Sequence, residues 1–223
     1  MSTGIELLRI AQALDPLFPV GAFTLSNGLE TYVQKELISD ESSLKKYLAA
    51  YIGTLPTGDL GFAARAAMGD NVTMLDELCT ASKSPYELRD GSIKLCRRFI
   101  KAQAVLNECP LLTDYSRKIE RGECTGLHPI AAGLFISDIG VDMTDGLSLY
   151  CYSLLSAAVN HAVKLVPLRQ LNGQRALSEM LPEIPSAVAA ARNVSCDELG
   201  ISGAGFELRS MQHEKLFTRI YIS

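Results

Sequence analysis

The sequence predicts an all-α protein, a single compact bundle of about eight to ten helices with a flexible C-terminal tail. Apolar residues recur at helical spacing in one segment after another. Proline and capping residues mark the starts of several of these segments. Alternation typical of a β-strand is confined to residues 216–222, which is too short and too terminal to build a sheet. With 223 residues, 48% of them hydrophobic, the chain can bury the core of one large domain.

The first half of the chain contains five predicted helices. The first covers residues 3–15, where Asp15-Pro16 ends it, and the second covers about residues 26–37. The third follows a cap at Ser39 or Asp40, and its apolar face is the clearest in the chain: Leu44, Tyr47, Leu48, Tyr51, Ile52 and Leu55. Asp59 can cap a fourth helix, and a short fifth is expected near residues 73–81.

The second half begins with a strong helix start at Ser84-Pro85-Tyr86-Glu87, since serine can cap, proline suits the first turn and glutamate can complete a capping box. Further helices are expected from Pro110, over residues 129–139 and 144–166, and in shorter segments up to residues 180 and 192. Beyond Gly200 the helical pattern stops, and Gly203-Ala204-Gly205 resembles a hinge. We therefore expect a domain of residues 1–202 and a tail of residues 203–223.

Composition and charge exclude several functional classes. The net charge is −4 with no run of like charges, so nucleic acid is not an expected partner, because phosphate recognition needs a basic face. The longest apolar stretch, residues 147–159, is shorter than the ~20 residues that span a bilayer. The N-terminal residues show no signal peptide, which predicts a cytoplasmic location. Six cysteines without a C-x-x-C pair are typical of buried free thiols.

Residues for catalysis or cofactor binding are scarce. No Walker A sequence is present, so neither nucleotide binding nor another cofactor is predicted. Cys124-x-x-x-His128 supplies two potential metal ligands, fewer than a site needs, and His128 is expected to be structural. His161 suits the core or an interface, and His213 suits a partner contact or packing of the tail. No nucleophile with a neighbouring base is apparent, so no catalytic residue is predicted.

One cluster of carboxylates supports a different function. Asp138, Asp142 and Asp145 could hold Mg²⁺ in an all-α phosphate hydrolase. Gly140 interrupts their spacing, however, and Asp142 and Thr144 are well placed to cap a helix. We favour capping and keep the magnesium-dependent hydrolase as the alternative function.

The most unusual stretch is Phe18-Pro19-Val20-Gly21-Ala22-Phe23, which continues to Glu30 and is called the signature segment below. Pro19 makes an extended Phe18 favourable, and Gly21 permits positive φ or a close backbone approach. Ser26 and Asn27 could cap the helix that follows. The apolar turn fits either a buried corner between helices or a rigid platform for a partner, and the pattern alone does not separate the two.

Four stretches resemble a known family in the order in which they occur. FPVGAFTLSNGLE is similar to the FPVGAF-x-x-S-x-GLE signature of the urease accessory protein UreF. Residues 210–214 and 219–223 resemble that family's terminal S-M-R-H-E and R-L-F-x-S patterns. Residues 126–130 resemble its T-H-P element, and residues 162–168 resemble its A-V-R/K-L-x-x-L stretch. The resemblance thus extends over nearly the whole chain.

The resemblance implies a non-enzymatic homodimer that bridges UreD (also called UreH) and the GTPase UreG and promotes nickel insertion into apo-urease. It also implies a tail that becomes ordered when UreD binds. The partner-binding residues carried over are Phe18, Pro19, Val20, Gly21, Phe23, Ser26, Glu30, Lys164, Met211, His213, Glu214, Arg219 and Ser223. No metal ligand is among them. The chain departs from the family at Leu25, where histidine is usual, and at Gln212, where arginine is common.

Overall fold

The computed structural model describes residues 4–201 and 203–222 and confirms the all-α prediction. Within these ranges no residue forms a β-strand, and ten of the helices have ten residues or more, in line with the expected eight to ten. The described helices are α1 Gly4–Ala13, α2 Leu29–Gln34, α3 Glu41–Thr54, α4 Asp59–Ala67, α5 Val72–Ser82, α6 Tyr86–Leu106, α7 Pro110–Glu120, α8 His128–Ile139, α9 Met143–Leu165, α10 Gln170–Met180, α11 Ile184–Asn193 and α12 Ala204–His213. Short 3₁₀ turns occupy Ala22–Thr24, Leu181–Glu183 and Cys196–Glu198.

Helix α8 is the centre of the bundle. Residues 129–136 are all buried, as expected for a helix that is apolar on every side. Helix α4 packs directly against it, because residue 133 is glycine: a Cβ there would collide with the carbonyl oxygen of Ala63. Helices α6, α7 and α9 surround this pair, and α10 and α11 cover the outer side of α9.

An aromatic cluster joins α12 to α2 and α3, which lie about 150 residues or more before it in the sequence. The ring of Tyr47 in α3 lies 5.2 Å from that of Tyr32 in α2 and 5.3 Å from that of Phe206 in α12, between centroids. Tyr51 packs against the same phenylalanine at 5.8 Å. Edge-to-face contacts of this kind stabilise beyond the area they bury. The cluster therefore fixes α12 against the body of the protein.

Several predicted helix starts are confirmed, and others are not. Asp59 is the first residue of α4 and does not cap it, since the N-cap is Gly58. Helix α6 begins at Tyr86 with Pro85, not Ser84, as its N-cap. Asp40 caps α3 in a capping box with Ser43, and Asp142 caps α9 by accepting from the backbone of Thr144 at 2.9 Å. The prediction of a cap at Ser26 and Asn27 holds only in part. Helix α2 begins later, at Leu29, behind a left-handed turn in which Asn27 has φ 52° and Gly28, the N-cap, has φ 79°. The Ser26 hydroxyl still accepts from the N–H of Glu30 in the first turn, at 3.4 Å.

The chain beyond Gly203 differs from the sequence pattern. The predicted hinge is instead the start of α12, which runs to His213. A ten-residue helix with glycines at its start has weak intrinsic stability, so its order comes from tertiary contacts that periodicity does not reveal. Phe206 lies in the aromatic cluster, and Ser210 and His213 are buried.

The cysteines are free, as predicted, and five of the six are buried, with Cys196 half-buried. Burial raises the pKa of Cys79 and Cys151 to about 12 and that of Cys109 to about 11. In the part of the chain that the structure describes, no helix combines the length and the apolar character needed to cross a membrane.

Candidate partner-binding site

The signature segment and the C-terminal segment meet at one buried carboxylate, Glu30. Its side chain is 1% exposed in the first turn of α2. One oxygen accepts from the backbone N–H of Ile220 at 2.8 Å, and the other accepts from that of Tyr221 at 3.0 Å. The imidazole Nε2 of His213 lies 3.1 Å from the same carboxylate. Two motifs almost 190 residues apart therefore share one anchor, which we call the Glu30 junction.

The junction extends through His213 to a second carboxylate. His213 is fully buried, and its Nδ1 lies 2.6 Å from Oε2 of Glu87 in the first turn of α6. The other oxygen of Glu87 accepts from the guanidinium of Arg219 at 2.6 Å. Burial alone would raise the pKa of Glu30, but the N–H of Ile220, His213 and the N–H of Tyr221 outweigh it, so this pKa lies below its ordinary 4.5. The ionised carboxylate is thus the form that holds the tail.

Backbone contacts fix the register of the tail on the signature segment. The N–H of Ile222 donates to the carbonyl of Thr24 at 2.9 Å, and the amide of Gln34 donates to the carbonyl of Thr218 at 2.6 Å. A Cβ on Gly28 would collide with Ser210 of α12. Glycine at 28 is therefore required by the approach of α12 as well as by its own positive φ.

The signature segment has a buried side and an exposed side. The buried side fits a corner between helices, and the exposed side fits a platform for a partner. Phe18 is buried edge-on against Phe99 at 6.4 Å between centroids, and Val20 is buried beside it. Arg98 of α6 donates to the carbonyl of Val20 at 3.2 Å, where a Cβ on Gly21 would collide with its guanidinium. On the other side, Phe23 is 53% exposed. The segment is a helix corner inside and an apolar platform outside.

Apolar side chains of both segments are exposed together. Ile220 is 74% exposed although its backbone is bound by Glu30, and Ile222 is exposed beside the 3₁₀ turn that carries Phe23. Leu17 and Phe23 border a groove of about 190 Å³ that also contains Lys164 and His161. We call Leu17, Phe23, Lys164, Arg219, Ile220 and Ile222 the composite surface.

A cavity of about 210 Å³ is lined by Val20, Leu25 and Asn27 of the signature segment and by Phe206 and Ser210 of α12. Leu25 is buried against Gly91 of α6, so the first departure from the family pattern contributes to the wall of this cavity. Gln212, the second departure, accepts from Arg209 within α12 at 2.7 Å.

Part of the lining of this cavity is polar. Lys83 and Asp59 form an ion pair at 2.6 Å, and the ring of His128 lies 6.1 Å from that of Tyr150 between centroids. Burial lowers the pKa of His128 to about 4, so its imidazole is neutral at physiological pH. The buried Tyr150 hydroxyl has no hydrogen-bond partner among the described residues. His128 is the first residue of α8 and not part of a loop, and its ring packs edge-on against Phe99 at 5.5 Å between centroids.

The sequence-predicted site residues fall into three groups. Phe18, Val20, Gly21, Ser26, Glu30, His213, Arg219 and Lys164 lie at or beside the junction and its groove, together with the exposed Pro19 and Phe23. Met211 and Glu214 are exposed near the end of α12. Ser223 lies outside the described residues. Sequence reasoning missed the roles of Glu87, taken only as part of a helix start, and of Arg98 and Gln34, which no motif marks.

Two of the three aspartates of the alternative function accept from backbone donors. Asp138 accepts from the N–H groups of Leu111 and Leu112 at 3.0 and 2.9 Å and thereby caps α7. Asp142 caps α9, as predicted. Within residues 4–201 and 203–222, no group of three or more His, Cys, Asp or Glu side chains is arranged so that it could hold a metal ion. The observed contacts are those of helix caps.

Comparison with known proteins supports the family resemblance of the motifs. The UreF family model matches residues 38–181, the part of the chain between the two terminal motifs. Proteins described as urease accessory protein UreF match nearly the full length. That of Actinobacillus pleuropneumoniae serotype 5b is 33% identical over 98% of this chain and 99% of the relative. That of Arthrobacter sp. is 30% identical over 100% and 99%, and that of Streptococcus salivarius is 27% identical over 98% and 95%. The chain therefore belongs to the UreF family of urease accessory proteins.

Proposed function

We propose that this protein is a non-catalytic cytoplasmic factor in urease maturation. It acts as a homodimer that bridges UreD/UreH and the GTPase UreG and so promotes nickel insertion into apo-urease. Membership of the family supports the maturation role. The observation that supports bridging is the Glu30 junction, which joins two motif segments into one outward-facing surface.

The composite surface has the character of a protein interface. The backbone donors of Ile220 and Tyr221 are satisfied inward by Glu30, which leaves the side chain of Ile220 outside. Adjacent exposed apolar side chains with a polar rim are typical of interaction sites. Here the rim is cationic, supplied by Arg219 and Lys164.

We assign the composite surface to UreD/UreH. Arg219 is bound to Glu87 on one side and remains 39% exposed on the other, so its guanidinium can offer further forked hydrogen bonds to a partner. Binding of UreD/UreH over the tail then completes the surface that recruits UreG. Nucleotide chemistry belongs to UreG in this scheme, and Asp138 and Asp142 of the alternative hydrolase serve as helix caps.

The test replaces exposed side chains only. The double variant Phe23→Ser, Ile220→Ser keeps the backbone contacts of the junction, so it should unfold at nearly the wild-type temperature. Its Kd for purified UreD/UreH should rise at least about tenfold, because apolar residues at the centre of an interface provide most of its binding energy. The matched control is Met74→Ser, which changes a similarly exposed apolar side chain on α5.

Unchanged binding of the double variant would contradict the assignment of this surface.

A second experiment tests the absence of catalysis. The purified protein is incubated with Mg²⁺ and GTP or pyrophosphate, and no turnover is expected. Turnover that disappears on substitution of Asp142 and Asp145 by asparagine would instead favour the hydrolase.

A further inference from the structure

A row of cations follows the outward face of α6. Lys94, Arg97, Arg98 and Lys101 are spaced so that all four share one side of the helix, and all four are exposed. We call them the basic strip. The chain as a whole carries a net charge of −4, so the strip is a local reversal of the protein's charge.

Two of these cations have no partner among residues 4–201 and 203–222. Lys94 forms an ion pair with Asp90 at 2.6 Å, and Arg98 uses one N–H for the carbonyl of Val20. Arg97 and Lys101 form no ion pair or hydrogen bond with any described residue. A positive potential therefore remains at the middle of the helix.

The basic strip is continuous with the composite surface. Glu87, which holds Arg219, lies two helical turns before Lys94 on the same face of α6. At the other end, Val105 follows Lys101 by one turn and is 83% exposed. The face from Glu87 to Val105 is about 27 Å long at 1.5 Å per residue. Its two ends are thus a tail contact and an exposed apolar side chain.

We propose that the basic strip docks an acidic helical segment of a partner protein in urease maturation. Its carboxylates would lie one turn apart opposite Arg97 and Lys101, and an apolar residue would pack on Val105. The planar guanidinium suits bidentate binding of carboxylates. This inference takes its set of partners from the proposed function and adds the chemistry of the contact.

Other anionic partners fit less well. The acidic remainder of the protein would be repelled by the phosphates of a nucleic acid or by an anionic membrane. A membrane would also need a broad apolar face, whereas this end of α6 exposes Val105 and Leu106. A short acidic helix matches both the length and the single row of charge.

The test reverses the two unpaired charges with Arg97→Glu, Lys101→Glu. Arg98 is kept, because it supports the signature segment. The control Lys46→Glu, Arg117→Glu makes the same change of charge at exposed positions on α3 and α7. Separately purified UreD/UreH, UreG and apo-urease from the same organism are the probes, with association rates measured at about 50 and 300 mM salt.

For one of the three proteins, we expect charge reversal to slow association at least about tenfold at low salt and to weaken its salt dependence. The control should stay within about twofold of wild type, since charges away from the contact contribute little once screened. The neutral variant Arg97→Gln, Lys101→Gln should show an intermediate rate. It also serves as a second measurement if charge reversal impairs folding, which circular dichroism would detect.

Unchanged rates for all three proteins would overturn the inference. The inference would also be overturned if the wild type bound vesicles with about 30% phosphatidylserine and charge reversal abolished that binding without affecting protein binding. The variant Phe23→Ser, Ile220→Ser is measured in parallel. If it alone loses binding, the inference fails and the proposed function stands; if neither variant changes any rate, both fail.

Discussion

Two buried carboxylates, Glu30 and Asp76, connect distant parts of this chain in different ways. Each is 1% exposed, and each is held by donors from other segments. Asp76 of α5 accepts from the Tyr115 hydroxyl and from the backbone N–H groups of Thr125 at 2.6 Å and Gly126 at 3.0 Å. These donors are neutral and lie on α7 and on the loop that leads into α8.

Glu30 instead binds the end of the chain and is part of a row of ionisable groups that ends at the half-exposed Arg219. If Glu30 is lost, the last residues can detach, and the cost is limited to the free energy of their docking. If Asp76 is lost, its donors cannot detach from the protein, because they lie in the middle of the bundle. A buried carboxylate therefore supports the fold or a separable surface according to where in the chain its donors lie.

The largest effect is expected for Asp76→Ala. It leaves the N–H groups of Thr125 and the buried Gly126, and the buried Tyr115 hydroxyl, without an acceptor, so the free energy of unfolding should fall by about 3–5 kcal/mol. Urea unfolding measures it, with Glu77→Gln, an exposed change on the same helix, as the control. A loss below about 1 kcal/mol would show that the loop before α8 can satisfy its donors elsewhere.

A falling pH should destabilise the helix bundle before it releases the tail from Glu30. His128 has a pKa lowered to about 4 by burial, against an ordinary 6.5, so the unfolded chain takes up the proton first and stability is lost as the pH falls from 6.5 to 4. The full shift corresponds to about 3 kcal/mol. Glu30 has a lowered pKa, so its contribution is complete above its ordinary 4.5 and is lost only as the pH falls through the lowered value.

Unfolding free energy and hydrogen exchange of residues 214–222 are measured together at several pH values. Between pH 6.5 and 4.5 the global stability should decline while Glu30 still holds the tail. The variant His128→Leu should remove about half of that decline, since buried His161, with a pKa of about 4, contributes in the same direction. Release of the tail at pH 6 would contradict this order.

The smallest effect on global stability is expected for Glu30→Gln, about 1–2 kcal/mol, because the tail can detach locally. Amide protection of residues 214–222 should be lost while that of α8 is retained. Hydrogen exchange followed by mass spectrometry resolves the two regions. If α8 loses protection to the same degree, the tail is part of the cooperative core, and Glu30 supports the fold as Asp76 does.

Local patterns predicted the helices of this fold well. The face from Leu44 to Leu55 and the proline at 110 are short-range signals, and the structure has α3 and α7 at these positions. Helix α12 could not be found in this way, because Phe206 and His213 are held by residues more than 100 positions earlier. The same contacts mean that deleting residues 211–223 would remove the buried His213 and expose the side chains that pack around it.

The candidate site was predicted as a set of residues but not as an arrangement. Glu30, His213 and Arg219 were all named from motifs, yet His213 lies 183 residues from Glu30, and no local pattern indicates that they touch. Glu87 could not be placed in the site, because its sequence context marks only a helix start. Spatial pairing of carboxylate and imidazole is a property of the folded chain.

The burial of the thiols gives this protein a built-in set of chemical reporters. Cys196 is half-buried beside Arg65, whereas Cys79 in α5 and Cys151 in α9 are covered. Alkylating reagents attack thiolates, and a pKa of about 12 keeps both buried groups protonated as well as shielded. Brief pulses of iodoacetamide in rising urea would therefore label the helices in the order in which they open. Counting added masses would then map the unfolding sequence without any engineered cysteine.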